Sequence, residues 1–153
     1  RTFQASIASC RFPLCFAHND LSNTNVHVDP ETGSARLLDF EYGGMNFRGF
    51  DLATHFSHWA GGAADGHYKN ELFPTRAEQR PFLEAYAEEA TKLGKPASGA
   101  AELQREVEIA TPVAHLVWGL WAICMLPLAL AAPPGRFSHI EYAERRLGAF
   151  RNS

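Results

Sequence analysis

The sequence predicts a mainly α-helical fold with a small β-hairpin near its start. Three observations carry that expectation: two β-rich runs, NVHV and ARLLDF, joined by DPETG; apolar residues recurring at helical spacing from residue 50 onward; and a twenty-residue apolar stretch, VAHLVWGLWAICMLPLALAA, at 113–132. At 153 residues, 46% hydrophobic and 20% charged, the chain has the size and composition of one globular domain with a sizeable core.

The opening, RTFQASIASCRFPL, has no strong periodicity, so residues 1–14 read as a linker or the end of a helix begun upstream. A start on Arg1, without methionine, predicts a processed product or a piece of something longer. LCFAH is a short extended run entering the polar loop HNDLSNTN. NVHV is a strand, DPETG a turn built from Asp, Pro and Gly, and ARLLDF the returning strand, with Asp39 at its end. EYGGMNFRG is loop-like, Gly43 and Gly44 permitting tight backbone.

Helical patterns follow. In FDLATHFSHWA the residues Phe50, Ala53, Phe56 and Trp59 mark one face, and GGAADGHYKN after it is an open loop with no apolar pattern to hold it. Thr75 with Glu78 fits a capping box, and the next helix sets Phe82, Leu83, Tyr86 and Ala90 on one side, with Pro81 bending its early turns. After the break at GKPASGA, a helix from about Ala101 to Thr111 continues past a kink at Pro112 into the apolar stretch. That stretch is long enough to cross a bilayer, yet His115 and the internal Pro127 favour a buried central helix ending near Met125 or Leu126 over a membrane span. Ser138 with Glu141 is a second candidate capping box, opening a short helix through Tyr142 and Leu147.

Charge and cysteines narrow the function classes. A net charge of −3, from 14 Lys+Arg against 17 Asp+Glu, leaves no basic face, so no nucleic-acid partner is expected. Cys10, Cys15 and Cys124 are odd in number and lack metal-ligand spacing, which fits a reduced, cytoplasmic compartment. Residues 1–15 do not resemble a secretory signal.

The chemistry concentrates between PLCF and NVHV, where His18, Asn19, Asp20 and Asn25 crowd together. A returning hairpin would let Asn25 and Asp39, at its open end, approach each other and Asp20; three such oxygen ligands suit a hard divalent ion like magnesium (Mg2+). Asp20 and Asn25 are five apart, as in the D-x-x-x-x-N catalytic loop of protein kinases, and Asp39-Phe40 follows where those enzymes carry a further metal-binding Asp-Phe pair. Phosphoryl transfer needs metal charge against the transferring oxygens and a carboxylate that orients the acceptor hydroxyl and takes its proton. Asp20 is the candidate base, with Asn25 and Asp39 the candidate metal ligands. The bland alternative has Asp20 and Asn25 capping turns and Asp39 ending a strand.

HNDLSNTN, LLDFEYGGMNFRGFDLATHFSHW, and WGLWAI followed by EYAERRLGAF resemble the C-terminal lobe of choline and ethanolamine kinases, from about Cys15 to Phe150. The resemblance implies the C-terminal lobe of a protein-kinase-like, aminoglycoside-phosphotransferase-like fold over residues 15–153, ATP as co-substrate, Mg2+, and a small amino alcohol as acceptor. It gives Asp20 the role of general base, makes Asn25 and Asp39 magnesium ligands in the nucleotide site, and sets Glu41 beside the metal. Asp51 becomes the acid that holds the catalytic-loop backbone, a structural role like that of His18. Tyr42, Trp118, Trp121 and Tyr142 sit at the positions of the amine pocket.

A quaternary ammonium has no N–H to donate, so ring faces recognise it best, at roughly 0.5–2 kcal/mol per good contact, whereas ethanolamine's ammonium rewards carboxylates. Trp118 and Trp121, three apart, share a helix face, although such a pair in an apolar helix is by itself more often core. The chain also departs from the family. His58 stands where a substrate-attracting glutamate is common, Met125 where a glutamine is common, and no glycine-rich phosphate loop or lysine precedes the polar cluster, Lys69 being the first lysine. These features predict a missing N-terminal lobe, an inactive isolated chain, and exposed surface prone to homo-oligomer formation. For the longer protein three functions compete: phosphorylation of choline or ethanolamine; phosphorylation of another hydroxyl compound such as an aminoglycoside or sugar, with Trp118 and Trp121 closed off from Asp20; and non-catalytic binding with poor metal affinity.

Overall fold

The computed structural model describes residues 12–61, 66–95, 98–131 and 137–153. Cys10 and nearly all of the expected linker lie outside them, as do parts of the GGAADGHYKN and GKPASGA segments. The described elements are β1 (Leu14–Ala17), β2 (Val26–Val28), β3 (Ala35–Leu37), β4 (Gly44–Phe47), α1 (Arg48–Trp59), α2 (Arg76–Lys92), α3 (Ala100–Ala131) and α4 (His139–Arg151), with 3-10 turns at Asn23–Asn25 and Asn70–Leu72. The chain is thus mainly helical, as expected, and Leu14 already belongs to a strand.

The hairpin forms between β2 and β3, with Val26 opposite Leu37 and Val28 opposite Ala35. At its tip, Asp29 Oδ1 accepts the amide of Glu31 at 2.8 Å and Gly33 takes a positive φ of 69°. Two details differ from expectation. Asn25 lies in the 3-10 turn and not in the strand, and the returning strand stops at Leu37. Leu38 N still donates to Asn25 O at 2.9 Å, but Asp39 then turns to φ +61°, which ends the extended backbone.

The segment expected to be loop-like at 41–49 contains β4, which pairs antiparallel with β1 from Leu14 opposite Phe47 to Ala17 opposite Gly44. Strand burial alternates along GMNF, a period-two signal that the Gly-Gly pair obscures in the sequence. Gly43 is required by crowding, because a Cβ there would stand 2.9 Å from Phe40 O and 3.0 Å from Phe16 Cζ.

Helix α1 follows β4 without a loop and runs through the centre, buried on most of its surface. Its Leu52 and Phe56 pack with Leu83 of α2 and Leu103 and Val107 of α3, while Phe50 and Ala53 meet Ala110 and Ala114. Each fully buried large side chain in these clusters stabilises by about 1.5–3 kcal/mol relative to exposure. Trp59, expected on the buried face, is 45% exposed. Arg48 closes the α1–α3 contact: its Nε donates to Glu106 Oε2 at 3.0 Å, and its Nη2 bonds Glu106 Oε1 and, at 2.8 Å, Ser98 Oγ. The helices meet so closely that a Cβ on Gly49 would lie 2.9 Å from Glu106 Cβ.

The capping box of α2 is complete, Thr75 and Glu78 each bonding the other's backbone amide. Helix α3 corrects an expectation. It continues past Pro112, as expected, but it is one 32-residue helix, about 48 Å long, that also runs through Pro127 to Ala131, where an end near 125–126 was expected. Each proline removes one intrahelical bond, and the remaining ladder carries the helix on. Burial is confined to the part up to Ala122; beyond it Leu128 and Leu130 are 64% and 81% exposed, so the apolar stretch is only partly a core helix. By length and composition α3 could span a membrane; here its buried face packs against α1, α2 and α4.

In α4 only half of the second capping box forms. Ser138 Oγ accepts Glu141 N at 3.3 Å, but the Glu141 carboxylate is engaged by Arg145 at 2.8 Å and His67 at 3.3 Å and does not return to the cap. The described end of the loop after α1, from Gly66 on, also has an anchor that its sequence does not suggest. Tyr68 is 1% exposed, with the Arg146 guanidinium 4.8 Å above its ring and 5.4 Å from that of Tyr142.

Candidate active site

The polar loop between β1 and the hairpin is held by its own backbone. Asp51, in the first turn of α1, accepts the amides of His18 at 2.9 Å on Oδ2 and Asn19 at 2.8 Å on Oδ1. Asn19 has a φ of 65°, a left-handed conformation that Asn tolerates better than most residues. Its Nδ2 donates to Tyr42 O at 2.8 Å and its Oδ1 accepts from Asn46 of β4 at 2.7 Å, so one side chain ties the loop to the turn after the hairpin and to the sheet.

Two histidines complete the frame. His18 Nε2 lies 2.7 Å from Leu38 O and its Nδ1 accepts the Asp20 amide at 3.3 Å, which puts its proton on Nε2. His55 of α1 donates from Nδ1 to Leu21 O at 3.1 Å and accepts Trp59 Nε1 on Nε2 at 3.2 Å, stacked against Phe82. Both of its nitrogens are spoken for only in the neutral ring, and burial lowers its pKa, opposed by the Leu21 carbonyl.

On this frame Asp20 meets Asn25, whose Nδ2 donates to Asp20 O at 2.9 Å and to its Oδ2 at 3.1 Å. With Nδ2 used in this way, Oδ1 is the Asn25 atom left to face a cation. From α1, His58 Nε2 stands 3.3 Å from Asp20 Oδ1. A cleft of about 140 Å³ opens beside Asp20, and Glu41, Tyr42, Trp118, Trp121 and Tyr142 line it together with His58. Trp121 Nε1 donates to Tyr42 Oη at 3.0 Å, and the Trp118 ring stands edge-on to both Tyr42 and Trp121 at 5.8 and 5.4 Å. Burial raises the Tyr142 pKa against the opposing charge of Arg146, so its phenol is neutral at neutral pH. Tyr42, Trp118 and Trp121 also border a larger apolar groove of about 610 Å³, walled by Phe47, Phe50 and Val113.

The structure therefore brings Asp20, Asn25, Glu41 and the four aromatic residues to one place. Asp39 and Glu41 are both solvent-exposed at the hairpin's return. Among the described residues no three His, Cys, Asp or Glu side chains form a ready-made metal cage. The donor set, an amide oxygen and one or two open carboxylates, still suits Mg2+, which keeps waters and takes phosphate oxygens to fill its shell. The sequence alone did not mark Asn46 or His55 as parts of this frame. For Asn46 an alternation of strand type was the available signal; for His55 there was only its spacing from Trp59 on a helix.

A helical body carrying a strand-bound loop with Asp20 and Asn25, and a hairpin that returns at Asp39-Phe40, has the architecture of the helical lobe of a protein-kinase-like fold. The family model for choline/ethanolamine kinase matches residues 1–151. A Dictyostelium discoideum protein named "Probable ethanolamine kinase A" is 30% identical over 150 residues, covering 98% of this chain and 41% of that protein. The human "Choline/ethanolamine kinase" is 30% identical over 148 residues, covering 88% and 36%. Among solved structures, a Plasmodium vivax ethanolamine kinase superposes with a TM-score of 0.76 at 25% identity, over 97% of this chain and 36% of its own. A choline kinase from Cryptosporidium parvum gives 0.69 at 25% identity, over 91% and 38%. The chain belongs to the choline/ethanolamine kinase family, and it spans well under half the length of these relatives.

Proposed function

We propose that the chain is the acceptor-binding lobe of an enzyme that transfers the γ-phosphoryl group of ATP to the hydroxyl of choline or ethanolamine. The observation that carries this reading is the cleft in which Asp20 faces Tyr42, Trp118, Trp121 and Tyr142. Asp20 would orient the alcohol and take its proton, while the ring faces receive the ammonium end. Asn25 and Asp39 would hold Mg2+, with Glu41 beside it, and the metal would supply charge against the phosphoryl oxygens. Asp51 and His18 hold the loop in register. A kinase for other hydroxyl compounds expects the two tryptophans to be sealed off from Asp20; their shared cleft speaks against it.

The phosphate-covering loop and its lysine would come from an N-terminal lobe, so the 153 residues alone turn over nothing. Free Cys15 and Cys124 fit a reducing, cytoplasmic setting. The exposed apolar side chains on β1 and β4, and separately at the end of α3, fit contact with that lobe or with a second copy.

The test is a competition assay on the full-length enzyme, with choline and ethanolamine at equal concentration, ATP and Mg2+, and products identified by mass. Phosphocholine in excess means that the aromatic wall sets selectivity; phosphoethanolamine in excess means that carboxylates do. If neither forms, the reading fails.

A further inference from the structure

His58 occupies the last turn of α1, 6% exposed, on the wall of the cleft between Asp20 and Trp118. Its Nε2 is buried 3.3 Å from Asp20 Oδ1, close enough for a hydrogen bond but without the alignment of one, and it has no other hydrogen-bond partner. The other carboxylate oxygen, Oδ2, receives Asn25 Nδ2 at 3.1 Å. Asp20 is therefore approached on each oxygen by a nitrogen from a different element, one from its own loop and one from α1.

That arrangement addresses a weakness of any aspartate base. Rotation about Cβ–Cγ is soft, so the direction of the lone pairs must be fixed from outside. A single donor leaves the carboxylate free to swing about that bond; two donors on opposite oxygens set its plane. A glutamate at position 58 would put a like charge against Asp20, whereas an imidazole N–H attracts it. A buried nitrogen without an aligned partner is costly, which favours the small rotation that would complete the bond. The Trp118 ring, edge-on to the imidazole at 6.0 Å, limits how far His58 can move away.

We propose that His58 is a positioning residue for phosphoryl transfer, donating Nε2–H to Asp20 Oδ1 so that the carboxylate plane is fixed with a lone pair facing the acceptor hydroxyl. This rests on reading Asp20 as the base. Position 58 then acts on the base and not on the substrate's charge.

Steady-state kinetics of the full-length enzyme with His58→Phe and His58→Gln test it. Phe keeps the volume and the ring contact but has no donor; Gln places an amide N–H near the position of Nε2. The expected result for His58→Phe is a ~10–100-fold fall in kcat, the scale of a misplaced reacting group, with the KM for the alcohol little changed. His58→Gln restores most of kcat, and both variants melt close to wild type. Wild-type kcat in His58→Phe overturns the proposal, as does an equal loss in both variants that falls on KM. If either variant fails to fold, or the wild type phosphorylates neither amino alcohol, the pair is read by 15N NMR of the His58 imidazole in the wild type and in Asp20→Asn. A changed Nε2 resonance supports the contact. An unchanged one sinks the proposal separately from the assignment of activity.

Discussion

Asp51 receives the backbone amide of Asn19 at 2.8 Å, so helix α1 grips the main chain of the loop that presents Asp20. The second carboxylate oxygen does the same for His18 at 2.9 Å. Asp51→Asn turns one of these acceptors into a donor facing a donor. Two charge-assisted bonds are weakened at once, and a loss of about 2–3 kcal/mol is expected. A lowered urea midpoint with unchanged slope checks it; an unshifted midpoint would remove Asp51 from the frame.

The Arg48–Glu106 pair joins α1 to α3 out of solvent, at 7% and 5% side-chain exposure. Glu106→Gln leaves the guanidinium without its charge partner and should cost about 3–5 kcal/mol, whereas the double change Arg48→Met, Glu106→Leu should cost less than the sum of the single ones. A double-mutant cycle in denaturant measures the coupling. Additive losses would mean that the two charges act independently.

Histidines should make the fold acid-sensitive before its carboxylates do. Burial, reinforced by Arg146, holds the His115 pKa down at about 3, and burial lowers that of His55. Both stay neutral in the folded chain while the unfolded chain takes up protons near pH 6.5, so stability is full above that pH and falls as pH drops below it. For His115 alone the loss between pH 7.5 and 5 is about 2 kcal/mol. Unfolding free energies at pH 7.5, 6.5 and 5 test this, and His115→Phe should flatten the slope. A slope equal to wild type in that variant would contradict the assignment.

Base and wall should separate in kinetics. In the full-length enzyme Asp20→Asn is expected to lower kcat by ~100-fold or more with amine binding nearly intact. Trp121→Ala should instead weaken choline binding by roughly 0.5–2 kcal/mol, up to about thirtyfold in KM, while sparing the chemical step. Tyr42→Phe, which removes the acceptor of the Trp121 indole N–H, should show a smaller effect of the same kind. If Asp20→Asn and Trp121→Ala both merely lower the melting temperature, the cleft is not a substrate site.

How far the sequence disclosed this molecule depends on whether a signal is local. The capping box at Thr75 and Glu78, the hairpin around Asp29–Gly33 and the Asp20–Asn25 spacing each fall within a few residues, and each forms. The β1–β4 ladder was hidden because its partner strand begins with glycine, and strand pairing across the polar loop leaves no local trace. The length of α3 was misread because Pro127 was weighed by its propensity to end a helix, whereas the backbone stays helical through it to Ala131. Tyr68 lies in loop, as expected, but its burial left no local trace because its anchor, Arg146, lies far along the chain. For the site, the residue types and their order were legible. The hydrogen bonds of Asn19, Asn46, His55 and His58 were not, since all of them join separate elements.

Because β1 and β4 are paired, residues 18–43 leave and re-enter the body at neighbouring points, like a cassette clipped in at both ends. The hairpin tip at Asp29–Gly33 is the part of that cassette farthest along the chain from either clip. Closing a loop of twice the length adds only about 0.6 kcal/mol, so the tip can lengthen or shorten between homologues while Asp20, Asn25 and Asp39 keep their mutual register. The tip is where an affinity tag or a fluorescent reporter can be spliced in with the least disturbance to the base of the cassette.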